Sequence, residues 1–212
     1  MGNIKYSDLI REVLPFLAAN PSNPVTENMI KRAAIEFCAG SMVWKHIPDA
    51  MDVDANEPVY DIDVPSGSEV SCVISVILNG DPILPKSIDW LNNNVPTWNT
   101  TPSQPLYFAQ TEPGQIILAP TPSDNVAAAM NITVALQPSQ NSTSFPKWIF
   151  SRFAYAIADG AVAKLMLIPN KPWTDLASGE YRLNQFNAAI ASARATAAHG
   201  LNRAPIRTKS VH

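Results

Sequence analysis

Side chains that could do chemistry are few and scattered in this 212-residue sequence. The histidines are His46, His199 and His212, and the cysteines are Cys38 and Cys72. No histidine pair has the helical spacing of zinc ligands, and no cysteine is close in sequence to a histidine. Two distant thiols make no disulfide framework, so a reducing compartment is the default and each cysteine is expected as a small buried hydrophobe. There is no Gly-x-Ser-x-Gly elbow, and with 8 glycines there is no phosphate-cradling loop.

The densest titratable group is acidic: Asp49, Asp52, Asp54, Glu57, Asp61 and Asp63. It lacks the glycine and the terminal glutamate of a calcium-binding EF-hand loop. Asp61 and Asp63 share one strand face, and paired carboxylates can hydrolyse glycosides when space brings them together. A solvated strand face is the simpler reading. Trp44, Trp90, Trp98, Trp148 and Trp173 invite a sugar-binding reading, but Trp44 and Trp148 sit on helical apolar stripes and suit a core. The sequence therefore points to no cofactor, no metal and no enzyme.

Charge is partitioned along the chain. The net charge is −3. Residues 1–45 are near neutral, residues 46–146 carry eleven acids against the single base Lys86, and residues 147–212 carry nine bases against three acids. Such a partition concerns partners and fields rather than fold. Only 16% of residues are charged, against about 25% in ordinary soluble chains. Part of the surface is expected to be covered. No apolar run reaches the ~20 residues of a membrane span, and no signal-like segment opens the chain, so no membrane role is expected.

Three zones must position these residues. Ile4, Leu9, Ile10, Val13 and Leu14 predict a first helix, stopped by Pro15. A second helix starts at Asn23-Pro24 and runs to about Trp44, with Ile30, Ala33 or Ala34, Phe37, Cys38 and Ser41 inward. The zone from 48 to 146 holds 13 of the 19 prolines, which suits strands broken by turns. Strands are expected at Tyr60–Val64, Val70–Leu78, Leu106–Gln110, Gln115–Ala119 and Met130–Leu136. Asn79-Gly80 is a hairpin turn. Ser87 to Leu91 suggests one helical turn, and Asn92 to Gln104 a loop. Pro146 opens a helix to about Leu167 that is apolar nearly all round and so is expected to be enclosed. A second, alanine-rich helix follows over 175–198, with Leu176, Leu183, Phe186 and Ile190 as its stripe and Gly200 as its stop. The expected fold is α+β: a helical bundle of two N-terminal and two C-terminal helices (1–47 and 146–200), an inserted antiparallel β domain (48–145) and an extended basic tail (201–212).

Tyr6-Ser7-Asp8-Leu9-Ile10-Arg11-Glu12-Val13-Leu14-Pro15, then Ala33-Ala34-Ile35-Glu36-Phe37-Cys38 and Trp44, form a recognisable pattern. With Trp148 through Ala163, Asn170-Lys171-Pro172-Trp173 and the alanine-rich helix, it resembles the head-to-tail connector or adaptor proteins of tailed bacteriophages. The zone order is similar to the tail tubular protein A type of short-tailed phages. That resemblance implies a virion protein at the head–tail interface, assembled in the host cytoplasm as a ring, typically a dodecamer. It implies the portal protein and the tail nozzle or tube as partners, and double-stranded DNA passing through without sequence-specific binding. Under it, Arg203, Arg207 and Lys209 are candidate portal-docking residues, and the six acids from Asp49 to Asp63 are candidate lumen-facing or tail-facing residues. Two other readings remain open: a tail-associated carbohydrate-binding or hydrolytic protein, and a nucleic-acid binder acting through the basic residues 182–209.

Overall fold

The computed structural model describes residues 2–199. It is a mixed α+β chain that divides into two compact units, Met1–Trp44 with Gln137–His212, and Lys45–Leu136.

The first unit opens with a short strand, β1 (Asn3–Lys5), where a helix was expected. A 3-10 turn (Tyr6–Leu9), the single-turn helix α1 (Ile10–Val13) and a second 3-10 turn (Leu14–Phe16) follow. The apolar spacing was helical, but Ile4 is drawn into pairing with Phe145 of β10 (Ser144–Pro146). Leu9 and Val13 are still buried. Tyr6 stacks on Phe145 at 5.4 Å.

Helix α2 (Asn23–Ser41) has Ser22 as its N-cap residue and Pro24 in its first turn, where the missing N–H costs nothing. It ends before Trp44, because Met42 takes a left-handed conformation (φ 55°) and returns its N–H to the Cys38 carbonyl at 2.9 Å. Ile30, Ala33, Ala34, Phe37, Cys38 and Ser41 are buried as the spacing predicts. Helix α4 (Lys147–Met166) and helix α5 (Leu176–His199) complete the unit. Asp175 starts α5 by accepting the Ser178 N–H at 3.1 Å. These hydrogen bonds hold its carboxyl below the usual range.

The helices approach closely because glycines stand at the contacts. A Cβ on Gly160 would lie 2.7 Å from the Phe186 ring, and one on Gly40 would lie 2.7 Å from Ile190. Phe37 lies between Phe153 (4.9 Å) and Phe186 (6.3 Å). α4 is not enclosed on every side, contrary to its sequence pattern. Ser151, Arg152 and Tyr155 are exposed, and Phe153 is half-buried at a kink (φ −126°, ψ 22°). Leu176, expected on the α5 stripe, is exposed, whereas Phe186 is fully buried.

The second unit is an eight-stranded curled sheet of order β2-β9-β5-β6-β7-β8-β4, with β3 also paired to β9. Its strands are β2 (Lys45–His46), β3 (Met51–Val53), β4 (Val59–Asp61), β5 (Ser68–Leu78), β6 (Asp81–Pro85), β7 (Tyr107–Ala109), β8 (Gln115–Ala119) and β9 (Val126–Pro138). Asn79 and Gly80 (φ 53° and 90°) turn β5 into β6, and β7 and β8 form the second expected hairpin. The sheet is not purely antiparallel, because β6 and β7 run parallel, Leu84 opposite Tyr107. The chain between them is long enough for a crossover and holds helix α3 (Ile88–Asn94), N-capped by the Ser87 hydroxyl. The segment expected as a loop is anchored by buried Trp98, whose indole N–H donates to Asn92 Oδ1 at 2.9 Å.

Candidate interaction surfaces

All six candidate acids lie in the β unit and are exposed. Three converge. Asp49, Asp61 and Asp63 line one groove of about 450 Å³ with His46, Ile47 and Pro65. Asp61 sits on edge strand β4 and accepts a hydrogen bond from Gln115 Nε2 at 2.8 Å. The alternation of β4 dictates this placement, since Tyr60 and Ile62 point inward.

The other three are tied to backbone. The Asp52 carboxylate accepts the Ala128 N–H at 2.6 Å. Ala128 is left-handed (φ 48°), and the β3–β9 register shifts between Met51 and Val53 opposite it. Asp52 thus braces a β-bulge. Asp54 and Glu57 frame a turn through their carbonyls, which accept from the Tyr60 hydroxyl at 3.2 and 2.7 Å. Burial raises the Tyr60 hydroxyl above its ordinary pKa. Glu57 Oε1 also accepts the Val59 N–H at 3.4 Å.

Arg203, Arg207 and Lys209 lie outside the described residues. Among the described residues, no three His, Cys, Asp or Glu side chains are placed to hold a metal ion. Nor is any helix among them long and apolar enough to cross a membrane. Cys38 is buried, and burial pushes its thiol up to about 12, where it is inert. The tryptophans are used in packing. Trp44, Trp148 and Trp173 lie against the helical core, and Trp98 is buried. Trp90 meets Tyr107 edge-on at 5.1 Å, with the Lys86 ammonium 4.2 Å from its ring centre.

Sequence reasoning missed a cluster on the helical unit. Arg182 of α5 pairs with Asp159 of α4 and lies 4.2 Å over the Phe16 ring. Tyr155 is 83% exposed, Tyr181 65% and Leu176 57%. The β unit also exposes apolar side chains at Ile47, Leu84 and Leu106. Exposed apolar side chains are ordinary when scattered singly, and they suit partner contacts where they gather in one patch.

The class of protein that these surfaces serve is shown by the family to which the sequence belongs. The chain matches the model of the SU10 adaptor protein family over residues 4–209, and it belongs to that family. It is therefore a phage adaptor, a structural virion component that binds other virion proteins. No curated protein matches it.

Proposed function

We propose that this adaptor is of the tail tubular protein A type and assembles as a twelve-membered ring at the head–tail interface. One side of the ring meets the portal, and the other meets the tail nozzle or tube. The channel passes double-stranded DNA without sequence-specific contact, and the protein does no catalysis. It assembles in the host cytoplasm as the virion is built.

In this reading residues 1–47 and 146–200 form the helical bundle of the ring body. The β insertion, 48–145, faces the tail component. The basic tail, 201–212, reaches the portal through Arg203, Arg207 and Lys209. The groove acids Asp49, Asp61 and Asp63 face the lumen or the tail. In the lumen they would repel phosphates within a Debye length of ~8 Å and keep the DNA mobile.

The observation that carries this reading is the family match joined to the exposed apolar side chains of both units, Tyr155 and Tyr181 on one and Leu84 and Leu106 on the other. Such faces suit a subunit flanked by neighbours and capped by partners. Electron microscopy of the full chain mixed with its phage's portal is the test. A ring seated on the portal supports the reading, and a strict monomer that never binds portal ends it.

A further inference from the structure

The curled sheet of the second unit is open. β2 and β4 stand at the two ends of its strand order, and β3 pairs with β9 beside β2. The groove that holds Asp49, Asp61 and Asp63 marks the opening. Residues 46–51, along the β2–β3 edge, form one wall, and residues 61–65, at the end of β4, form the other.

β4 turns a free strand edge to this groove. The Pro58 carbonyl accepts from Leu118 at 2.8 Å and the Ile62 N–H donates to Gly114 at 2.7 Å, so residues 58, 60 and 62 direct their backbone groups to β8. Antiparallel alternation directs those of Val59, Asp61 and Asp63 the other way. Glu57 Oε1 accepts the Val59 N–H at 3.4 Å, and among the described residues no strand pairs with this side of β4. Such an edge is a template for an added strand.

Charge selects which strand. Asp61 and Asp63 are exposed, and Asp49 faces them from the opposite wall. No Lys or Arg lines the groove, and His46 is its one other titratable side chain. Lys45 points to the opposite face of β2 from His46, and Lys86 lies over the Trp90 ring. Two β4 edges set side by side oppose their carboxylates, so this edge rejects its own copy. Residues 205–211 carry the complement. Pro205, Arg207, Lys209 and Val211 alternate, so an extended strand presents them on one face, and the segment has no acid. Laid antiparallel to β4, Arg207 falls opposite Asp63 and Lys209 opposite Asp61. In the same register Val211 meets Val59, which is 39% exposed, and Pro205 meets Pro65, where neither residue has an N–H and pairing stops. A parallel strand loses this match, because it sets Pro205 against Val59 and Val211 against Pro65.

We propose that residues 205–211 of one copy of this chain add to the β4 edge of a second copy, antiparallel and in this register. Each copy offers one acidic edge and one basic segment, so the contact is heterologous. It belongs to protein that has not met portal, and portal competes with it for the same bases. The inference goes beyond the ring reading and does not rest on it.

Cysteine pairing between two different chains tests it. Opposed residues of an antiparallel pair stand about 5.5 Å apart, within disulfide reach. Full chain carrying Asp63→Cys is mixed, without portal, with full chain carrying Arg207→Cys, oxidised mildly and read on a non-reducing gel. The unmodified chain, which holds Cys38 and Cys72, sets the background. Circular dichroism checks that each variant folds. Cross-linked dimer is expected, at least about tenfold above the yield when the second chain carries Thr208→Cys, whose side chain points to the opposite face. Excess synthetic peptide of residues 201–212 should suppress it, and so should about 0.5 M salt, which screens the charge pairs. No dimer, an equal yield with Thr208→Cys, or a disulfide that forms only inside a chain carrying both Asp63→Cys and Arg207→Cys overturns the proposal. Portal binding is read separately, so its failure ends the portal reading and leaves this contact standing.

Discussion

Gly160 sets how closely α4 and α5 can approach, because the Phe186 ring fills the space where a side chain would begin. Gly160→Ala must displace a fully buried ring. We expect a loss of about 1–3 kcal/mol, as overpacking costs, read as a lower urea midpoint with an unchanged slope. Adding Phe186→Leu to that variant should cost less than Phe186→Leu does in the unmodified chain, because the ring is already strained. Additive losses would show that the two sites do not press on one another. Tyr6 and Cys38 set a different limit. Burial pushes both hydroxyl and thiol up to about 12, from ordinary values of 10.0 and 9.0. The folded state therefore holds these protons longer than the unfolded chain does. Their contribution is intact below about pH 9 and is lost as pH rises towards 12. Chemical denaturation across pH 8–12 should show stability falling. Tyr6→Phe, which removes one titrating group and the 2.9 Å bond to Ser142, should be less stable at pH 8 and fall less steeply above pH 10. An equal slope in the variant would put the alkaline loss elsewhere.

At the scale of elements, exposure changes what a substitution means. Phe153 is an aromatic residue in an apolar helix, and full burial would make Phe153→Ala cost about 3–5 kcal/mol. It is only half-buried at the α4 kink, with one ring contact to Phe37. We expect about 1–2 kcal/mol by thermal or urea unfolding, and a loss above ~3 would mean the kink is closed over in solution. The β3–β9 bulge gives the matching experiment in the sheet. Asp52→Ala leaves the Ala128 N–H without its carboxylate and should cost about 1–2 kcal/mol, while Ala128→Gly should relieve the left-handed strain and stabilise. If Asp52→Ala is silent, the bulge holds itself. These elements also show what was legible beforehand. The buried face of α2, both hairpins and the limits of α4 and α5 followed from spacing, because local periodicity and turn chemistry decide them. The β1 strand did not, because its partner Phe145 lies far along the chain and nothing local records the pairing. The parallel β6–β7 pair was hidden for the same reason. Of the six candidate acids, alternation placed Asp61 and Asp63 on one face. It could not distinguish the groove member Asp49 from the bulge brace Asp52, since both depend on which backbone folds back against them.

Over the whole molecule the charge partition becomes a question of partners. Most of the exposed acids lie in the β unit, and the tail adds Arg203, Arg207 and Lys209 with no acid among them. The core of the helical unit draws its buried residues from Tyr6 to Ala193, among those described, and includes α2, α4 and α5. Residues 201–212 carry no periodic apolar stretch in the sequence, so a chain ending at Gly200 should unfold within about 2 °C of the full chain. Its binding to portal should weaken, and the loss should be greatest at low ionic strength. Three fewer cations leave less attraction for salt to screen, so affinity measured from 50 to 500 mM salt should fall less steeply for the truncated chain than for the full one. Two results would count against the portal role of the tail: a truncated chain that no longer folds, or one that binds portal with the same affinity and the same salt dependence. The first would place residues 201–212 in the folded body, and the second would move portal recognition to the exposed faces of the helices.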